Sequence, residues 1–534
     1  MRRAVTTIAL LAVALSAIAA PPSAAQGSYT ASEHFFPSAD GTMLHADVFM
    51  PDGVERAPVI LLVTPYRLLA APTGNPGLAY PSEFQRFLLE GYAIHQVSLR
   101  GYGESDGCGD FGGVGEQADA VAAVEWSAAQ EWSTGKVGMW GISYDGWTQV
   151  MAMANGAKGL SAAVVSSPLI SLYRGLYMDG VHYGGGWHST PASYAAIDLA
   201  SVGKPTPNDP GCYAANTVET NGDDPTAAYW RERNLIPKAK DIKVPIFWTH
   251  GFLDANTKPD NFLPVYSKLR GPLYAWFGQF SHQLPSPAVG RQGFVEEAIA
   301  FYDHFLKGER AATKGMHPVT VQDGAGRWRA EEQWPPSDAK PVALQLNEGS
   351  FEDMTGNDAN ETGTATNGIW TFTQRLPYDV HIAGIPKLDL DVDVTRGGAY
   401  LIALMYDVAP DGRARLITRG AHQFRGEGLL APAAGRAEFE MYPEDWPLPK
   451  GHRLGLFLSA SDETWFDPGH TLGTVTITSG KLKVPFLRYE RDRFLEGAPS
   501  QEVAHWYETT VADDLVRSAE RRGKLPPRLR KRGS

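Results

Sequence analysis

A serine lies between two glycines where a strand-like run meets a helix-forming run. Residues 136–154 read KVGMWGISYDGWTQVMAMA, so that apolar residues lead into Gly141 and Ser143, and Gly146 precedes the helical stretch. This order is typical of a nucleophile elbow, in which a serine sits on a tight strand-to-helix turn and its hydroxyl projects above the sheet. The second glycine lies one place later than in the common G-x-S-x-G pattern, so a structural serine in a glycine-rich turn is the alternative.

Two later motifs could supply the general base and the carboxylate that a serine nucleophile needs. In hydrolases with such an elbow, the chain order is serine, then an acid, then histidine. The apolar run at 244–249 leads into Asp254, and the run at 273–277 leads into His282. Both residues follow the carboxyl end of a predicted strand, as Ser143 does. We therefore predict Asp254 as the orienting acid and His282 as the base.

Three other residues compete for these two roles. Asp260 is the alternative acid, but it lies where the next helix should begin. His250 is the alternative base, but it precedes Asp254 and so has the wrong chain order; we expect it to be a buried histidine at a strand end. His304 lies in the helical stretch FYDHFLKG, where packing or surface exposure is the expectation.

An oxyanion hole needs hydrogen-bond donors close to the nucleophile. One donor is expected to be the backbone N–H of Tyr144, the residue after Ser143. The second normally comes from the loop after an early strand, which here reads VTPYR at 63–67 and contains Tyr66. The Tyr66 hydroxyl could donate, or its ring could simply pack at the strand end; the pattern alone favours neither.

The order of the elements indicates two kinds of domain. Over 30–167 and 241–312, continuous apolar runs alternate with helical segments, which is typical of a parallel sheet covered on both faces. The pattern breaks over 168–240, where dense glycine and aromatic residues predict a cap above the carboxyl edge of the sheet. Over 330–510 the period becomes two, as in KLDLDVDV at 387–394, which predicts an antiparallel sandwich or jelly roll.

Charge excludes one class of partner. The chain of 534 residues carries 48 Lys and Arg against 60 Asp and Glu, a net charge of −12. No broad basic surface follows from this balance, so nucleic-acid binding is not expected. The one basic cluster is the tail at 515–534, for which we expect a solvated, frayed end, with surface adhesion as the alternative. We expect neither a metal nor another cofactor.

Residues 1–25 are predicted to be a signal peptide. Arg2 and Arg3 precede the apolar run IALLAVALSAIAA at 8–20, and small residues at candidate cleavage sites follow. The run is short for a membrane span, and no other stretch of about 18 apolar residues follows it. We therefore expect a secreted or periplasmic protein with no membrane span after cleavage; an uncleaved anchor is the alternative.

The chain contains two cysteines, Cys108 and Cys212. An even number of cysteines in an exported protein indicates a disulfide. This bond would join the loop after RGYGESDG to the cap. The alternative is a reactive or metal-binding thiol, although no metal-ligand spacing surrounds either residue. We predict a Cys108–Cys212 disulfide.

The chain resembles the CocE/NonD family of serine hydrolases, the group that contains bacterial cocaine esterase, X-Pro dipeptidyl-peptidase and α-amino acid ester hydrolases. The resemblance spans nearly the whole mature chain, in the right order. The motifs that carry it are TPYR at 64–67, SLRGYGESDG at 98–107, WSTGKVGMWGISYDGWTQ at 132–149, DPTAAYWRERN at 224–234, VPIFWTHGFLDAN at 244–256, HFLKG at 304–308 and GRWRAEEQWPP at 326–336.

This resemblance implies a fold and a set of site residues. The late glycine after Ser143 is the normal form of the motif in that family. The implied fold is an α/β-hydrolase domain with a helical cap insertion, followed by an all-β jelly-roll domain. The implied triad is Ser143, Asp254 and His282, and the implied oxyanion hole consists of the Tyr66 hydroxyl and the Tyr144 amide.

The substrate is less well determined by the sequence. Peptidase and amino-ester members of the family need carboxylates that hold a substrate ammonium, and the candidates here are Asp145, Asp179, Asp198 and Asp223. Aromatic residues of the cap suggest an apolar pocket, although such residues also serve as packing; they are Tyr173, Tyr177, Tyr183, Trp187 and Trp230.

The sequence thus predicts an exported serine hydrolase that forms an acyl-enzyme on Ser143. Its partner would be a small ester, amide or short peptide substrate. An esterase or α-amino acid ester hydrolase is the first expectation, and an X-Pro dipeptidyl-peptidase is the alternative. A non-catalytic protein whose β domain binds carbohydrate is the alternative from another class. The oligomeric state, including a homo-oligomer, stays open.

Overall fold

The structure is a computed structural model that describes most of the chain. The described residues are 28–66, 77–184, 210–354, 367–425, 432–462, 465–466, 471–503 and 508–531. The predicted signal peptide at 1–25, together with Asp198 and Trp187, therefore lies outside the described residues. Within the described part, no helix is both long enough and apolar enough to cross a membrane.

The first twelve strands build the N-terminal α/β domain. They are β1 (Tyr29–Pro37), β2 (Met43–Pro51), β3 (Ala57–Thr64), β4 (Ala93–Ser98), β5 (Ser133–Ile142), β6 (Leu160–Ser166), β7 (Tyr177–Met178), β8 (Val181–His182), β9 (Ile246–Gly251), β10 (Leu273–Gly278), β11 (Val319–Gln322) and β12 (Trp328–Glu331). Strands β7 and β8 form a separate hairpin. The other ten form one sheet in the order β1-β2-β4-β3-β5-β6-β9-β10-β11-β12, parallel from β4 to β11.

The helices of this domain cover both faces of the sheet or belong to the region predicted as a cap. They are α1 (Pro81–Leu89), α2 (Val114–Ala129), α3 (Tyr144–Ala154), α4 (Leu172–Leu176), α5 (Pro210–Thr220), α6 (Ala228–Glu232), α7 (Leu263–Tyr266) and α8 (Phe294–Tyr302), with shorter 3₁₀ turns at Ile236–Asp241, Pro259–Asn261 and Pro287–Val289 and a π turn at Asp303–Lys307. The run at 59–63 illustrates this two-sided packing, because alternate residues belong to the hydrophobic cores on opposite faces of the sheet. Val59 and Leu61 pack in the core with α2 and α3, whereas Ile60 packs with α1 and α8. The predicted two-sided parallel sheet is confirmed.

The region predicted as a cap contains α4, the β7–β8 hairpin, α5 and α6. Two of its groups reach the loop that follows β9. The Tyr183 hydroxyl donates to the Ala255 carbonyl over 2.5 Å, and Lys258 Nζ of that loop donates to the Tyr177 carbonyl over 3.1 Å. The cap is thus anchored directly beside Asp254. The carboxyl edge of the sheet is therefore enclosed at this point.

The C-terminal domain is an all-β sandwich. Its strands are β13 (Lys340–Gln345), β14 (Gly349–Glu352), β15 (Ile369–Thr373), β16 (Val380–Gly384), β17 (Lys387–Val394), β18 (Tyr400–Val408), β19 (Arg413–Gln423), β20 (Ala433–Glu440), β21 (Glu444–Leu448), β22 (Arg453–Ser459), β23 (Thr474–Phe486), β24 (Glu508–Thr510) and β25 (Glu520–Arg521). One sheet runs β20-β17-β23-β16-β21, with β13 and β14 also on β23, and the other runs β24-β19-β18-β22-β15-β25. Leu388, Leu390 and Val392 point into the core between them. The predicted alternation over 387–394 is confirmed.

One domain boundary and the state of the tail differ from the sequence prediction. The α/β domain does not stop at 312, because β11 pairs in parallel with β10 and β12 pairs with β11, which extends the large sheet to Glu331. The tail is not a frayed end over its described residues up to 531. Helix α9 (Asp513–Ser518) buries Val516, and β25 pairs with β15. The prediction of a frayed tail was wrong because apolar residues between the charges anchor the segment to the sandwich.

A buried ion network joins the two domains. Arg329 of β12 donates through both terminal nitrogens to Asp445 of β21, over 2.8 and 2.6 Å. Trp334 Nε1 donates to the same carboxylate, and His381 Nε2 lies 2.6 Å from it. Burial by itself would raise the pKa of Asp445, but the charges of Arg329 and His381 hold that pKa well below its usual range. Removing one partner of such a buried network leaves an uncompensated charge, so the domains are expected to stay in a fixed relation.

Candidate active site

Ser143 lies on a strained turn between β5 and α3. Its backbone has φ of 66° and ψ of −123°, a conformation that residues other than glycine rarely adopt. Two glycines make the turn possible. Gly141 has φ of 146°, and a Cβ on Gly146 would lie 2.6 Å from the Ser166 carbonyl oxygen. The glycine positions that indicated an elbow in the sequence therefore have a steric cause.

The Ser143 hydroxyl is bound by Tyr66. Tyr66 Oη donates to Ser143 Oγ over 3.3 Å, from the loop just after β3. The Ser143 amide donates to the Ser166 carbonyl and so has its own acceptor. The next amide is that of Tyr144, the first residue of α3, at the positive end of the helix dipole. The two predicted oxyanion donors thus both lie close to Ser143, Tyr66 through its hydroxyl and Tyr144 as the next residue.

Asp254 and His282 meet at the ends of two neighbouring parallel strands. His282 Nδ1 lies 2.9 Å from Asp254 Oδ2, and the strands that precede them, β9 and β10, pair in register. The Asp254 side chain is fully buried and also accepts from the amides of Asn256 and Thr257 and from the Thr257 hydroxyl. The His282 side chain is 20% exposed. An ionised, immobilised carboxylate therefore holds one ring nitrogen of a partly accessible histidine.

The electrostatics of Asp254 follow from these contacts. Burial alone would raise its pKa, but the charge and hydrogen bond of His282, with smaller contributions from His250 and the Asn256 amide, hold the pKa well below the usual range. The carboxylate consequently stays ionised at neutral pH. It fixes the Nδ1–H tautomer of His282, which leaves Nε2 to act as the base.

Among the described side chains, Ser143 and His282 form no hydrogen bond with each other. Ser143 Oγ accepts from Tyr66, and His282 Nδ1 contacts Asp254 and Thr257. Catalytic hydrogen bonds are often long without substrate and tighten in the reacting complex. The arrangement holds all three groups at the carboxyl edge of one sheet, where a substrate carbonyl could lie between them.

The competing residues have other partners, although His250 Nε2 also lies 3.8 Å from Asp254 Oδ2. His250 is completely buried, its Nε2 lies 3.0 Å from the Thr257 carbonyl, and burial lowers its pKa to about 4. A neutral, enclosed imidazole of this kind is a structural group. Asp260 lies on a 3₁₀ turn and pairs with Arg174 over 3.4 Å. His304 lies on the π turn with its ring against Phe305.

Sequence reasoning missed a buried carboxyl beneath the elbow. Glu116 of α2 accepts from the Tyr144 hydroxyl and from the amides of Asp110, Phe111 and Gly112. Burial, and then the nearby Asp110, raises the pKa of Glu116 to about 8. The side chain ties the loop before α2 to the residue that follows the nucleophile. The glycine-rich stretch DFGGVGE was the one available signal, since a Cβ on Gly112 would clash with Trp147 and a Cβ on Gly115 would clash with Arg100.

The described ammonium-binding candidates have other partners. Asp145 is buried and accepts from the Tyr80 hydroxyl over 2.7 Å; burial raises its pKa to about 7. Asp179 lies 2.6 Å from His422 of the β domain. The Asp223 carbonyl accepts from Tyr173 and Arg425. Asp179 and the Oδ2 atom of Asp145 are thus occupied by contacts that hold the protein together.

The described cap aromatics pack against one another. The rings of Tyr173 and Tyr177 are stacked, and both lie edge-on to Trp230. Tyr183 packs on Trp465 of the β domain. Tyr177, Tyr183 and Trp230 are at most 5% exposed. These residues therefore consolidate the cap rather than line an open pocket. Among the described residues, no group of three or more His, Cys, Asp or Glu side chains has a geometry suited to a metal ion.

The predicted disulfide cannot be read from these contacts, because the Cys212 side chain lies outside the described residues, and the pairing stays a prediction. One neighbouring contact bears on it. Asn216, one turn further along α5, donates from Nδ2 to the carbonyl of Gly109, the residue after Cys108, over 3.1 Å. The helix that carries Cys212 therefore lies against the loop that carries Cys108.

Known proteins resemble this chain over most of its length. Residues 40–283 match the family described as X-Pro dipeptidyl-peptidase (S15 family), and residues 312–497 match the X-Pro dipeptidyl-peptidase C-terminal non-catalytic domain. The chain is 24% identical over 504 residues to a Bacillus anthracis protein named "Putative Xaa-Pro dipeptidyl-peptidase", covering 82% of this chain and 83% of that one. It is 24% identical over 543 residues to cocaine esterase of Rhodococcus sp. (strain MB1 Bresler), covering 84% and 94%.

A solved structure shows the same fold. A CocE/NonD family hydrolase from Staphylococcus aureus superposes with a TM-score of 0.72 at 16% identity, covering 86% of this chain and 94% of that one. An α/β sheet with a nucleophile elbow, joined to an all-β domain and matched by both peptidase domains, defines a serine hydrolase. The chain has both domains of the S15 family of X-Pro dipeptidyl-peptidases and belongs to that family, and its fold is that of the CocE/NonD family hydrolase.

Proposed function

We propose that this protein is an exported serine hydrolase that cleaves carboxylic ester or amide bonds through an acyl-enzyme on Ser143. The observation that carries the proposal is the 2.9 Å contact between His282 Nδ1 and Asp254 Oδ2 at the sheet edge that also bears the elbow. The Tyr66 hydroxyl, 3.3 Å from Ser143 Oγ, supports it further.

The steps follow from the groups at the edge. Ser143 Oγ attacks the substrate carbonyl while His282 Nε2 accepts its proton. The Tyr66 hydroxyl and the Tyr144 amide stabilise the oxyanion, and His282 then protonates the leaving group. Water repeats the sequence on the acyl-enzyme, which releases the acid and restores Ser143. No cofactor is required in this scheme.

The role of Asp254 as the orienting acid can be tested by comparison with the competing carboxylate, Asp260. Asp254→Asn removes the charge that fixes the His282 tautomer, and the corresponding change in serine proteases lowers kcat by about 10⁴. Asp260→Asn, on the same loop, is the matched control and should retain most activity. The measurement is hydrolysis of a short-chain p-nitrophenyl ester by both variants. Loss of activity in Asp260→Asn with activity retained in Asp254→Asn would reverse the two roles.

We propose further that simple acyl esters are better substrates than free-amine X-Pro peptides. A buried substrate ammonium needs a carboxylate partner, and Asp145 and Asp179 already have partners within the protein. The test is kcat/KM for p-nitrophenyl butyrate, an amino-acid ester and an X-Pro-p-nitroanilide under the same conditions. An advantage of the anilide above tenfold, about 1.4 kcal/mol of transition-state binding, would favour the peptidase instead.

The X-Pro dipeptidyl-peptidase is the second candidate because both domain matches carry that description. In that event Asp223 would be the first carboxylate to replace, followed by Asp198, which lies outside the described residues. A non-catalytic carbohydrate-binding role is disfavoured by the elbow and by the hydrolase family. Export through the segment 1–25 is part of the proposal, and N-terminal sequencing of protein recovered from the periplasm or medium tests it.

A further inference from the structure

The loop that carries His282 is held by the β domain at both of its ends. On the C-terminal side, Glu502 accepts from Ser281 Oγ over 2.8 Å and from Gln283 Nε2 over 2.9 Å, and its second oxygen accepts the Ser281 amide. Both neighbours of His282 are therefore bound to one carboxylate. This contact holds the Ser281 backbone directly and Gln283 through its side chain.

The N-terminal end of the loop is held just as closely. Gln279 is completely buried, and its Nε2 donates to Glu444 Oε1 over 2.6 Å. Its carbonyl accepts the hydroxyl of Ser500, which is also buried. Glu444, Ser500 and Glu502 all lie C-terminal to the first strand of the β domain, β13. The α/β domain thus supplies His282, and the β domain supplies the groups that hold its loop.

The segment that carries Glu502 is itself fixed. The Ala498 amide donates to the Gly290 carbonyl over 2.7 Å. Its carbonyl accepts from Gln322 Nε2 over 2.9 Å and from Trp328 Nε1 over 3.2 Å. Glu502 therefore reaches the His282 loop from a segment attached to the large sheet. This residue lies beyond 497, where the second family match ends.

The same loop also contacts the chain that leads to Asp254. The Phe252 amide donates to the Gly278 carbonyl over 2.7 Å, and the Leu253 amide donates to the Phe280 carbonyl over 3.2 Å. A shift of the histidine loop would therefore disturb the 2.9 Å contact between His282 and Asp254. A misplacement of about 1 Å in a catalytic group can cost about a hundredfold in rate.

We propose that Glu502 is a positioning residue that sets the His282 loop for catalysis, so that the β domain contributes to the chemical step without touching the substrate. This inference rests on the proposed role of His282. It predicts an effect on kcat rather than on substrate binding, because Glu502 contacts the backbone and the neighbours of the base.

The test compares three variants with wild type on a p-nitrophenyl ester. Glu502→Ala removes both acceptor oxygens and with them all three hydrogen bonds, and it should lower kcat by about 10- to 100-fold with KM changed less than about threefold. Glu502→Gln keeps one acceptor oxygen and should recover part of that loss. Glu496→Ala is the matched control, since Glu496 is an exposed glutamate of the same segment whose carbonyl, not its side chain, binds Arg291; it should behave as wild type.

A readout independent of turnover is the strongly downfield imidazole N–H proton of the Asp254–His282 pair, identified by its loss in His282→Gln. This signal should weaken in Glu502→Ala and persist in Glu496→Ala. A kcat within twofold of wild type in Glu502→Ala, or equal losses in Glu502→Ala and Glu496→Ala, would overturn the positioning role.

Labelling by a fluorophosphonate separates the two proposals. If Ser143 of the wild type is labelled and Glu502→Ala is labelled at the same rate, the positioning role is wrong and the proposed function stands. If the wild type itself is not labelled at Ser143, the proposed function fails and the inference fails with it. Slower labelling of Glu502→Ala with the wild type labelled normally supports both.

Discussion

Tyr66 Oη donates a hydrogen bond to Ser143 Oγ over 3.3 Å, from the end of one strand to the end of the next in the same sheet. Sequence alone left Tyr66 undecided between packing and donation. A hydroxyl aimed at the nucleophile is close to the position where the substrate oxygen would develop its negative charge. This contact favours the donor role.

Tyr66→Phe should therefore lower kcat with little change in structure. Loss of one oxyanion donor typically costs about 10²–10³ in kcat, or roughly 3–4 kcal/mol. Steady-state kinetics on an acyl ester checks this, with the circular dichroism spectrum as the structural control. A variant that keeps more than half of the wild-type kcat would return Tyr66 to a packing role.

We predict that the strained backbone at Ser143 lowers the stability of the folded protein. Ser143 holds a positive φ of 66°, and such strain costs about 1–3 kcal/mol. Ser143→Ala should be inactive and about as stable as wild type, because alanine meets the same strain. Ser143→Gly should be inactive and more stable than Ser143→Ala by about 1 kcal/mol. Thermal unfolding of the two variants measures the difference, and an alanine variant more stable than the glycine one would contradict it.

The buried Asp145 should make stability depend on pH. Burial raises its pKa to about 7 from an ordinary value of 3.8, so the folded protein holds this proton more tightly than the unfolded chain. The resulting stabilisation is fully present below about pH 4 and is lost as pH rises towards 7, with roughly 4 kcal/mol as the upper bound.

Asp145→Asn cannot release that proton and still offers an oxygen to Tyr80. Its melting temperature should therefore decline less than that of wild type between pH 5 and 7. Asp492→Asn, at an exposed position, is the control and should follow the wild type. Parallel curves for Asp145→Asn and wild type would show that Asp145 is ionised throughout this range.

A disulfide between Cys108 and Cys212 should be found in exported protein. Asn216 already holds α5 against the loop of Cys108, so the bond would tie the cap to the α/β domain and restrict its movement. Nonreducing peptide mapping should recover the linked pair. Two thiols that alkylate without reduction would rule the bond out.

The sequence was most informative where chemistry needs a local pattern. Gly141 and Gly146 mark the elbow because a Cβ at either position would clash. Asp254 and His282 each follow a strand of six residues in one parallel sheet, so the topology brings them together without any knowledge of their contacts. The period of two over 387–394 indicated a sandwich because one face of that strand is buried.

Contacts between segments that are distant in the chain leave no local pattern in the sequence, so they could not be predicted from it. Glu502 and Ser281 are 221 positions apart, and only the docking of the β domain on the large sheet brings them together. The cap aromatics had the composition of a pocket, yet Tyr173, Tyr177 and Trp230 pack on each other. The basic tail had the charge of a frayed end, but Val516 anchors it.

Covalent labelling of Ser143 decides between this mechanism and its alternatives. The wild-type protein is treated with a fluorophosphonate and digested, and the adduct is located by mass spectrometry, with Ser143→Ala as the control. We predict a single adduct on Ser143, absent from Ser143→Ala and formed more slowly in His282→Gln. An adduct on another serine, or undiminished labelling of Ser143→Ala, would contradict the proposed mechanism.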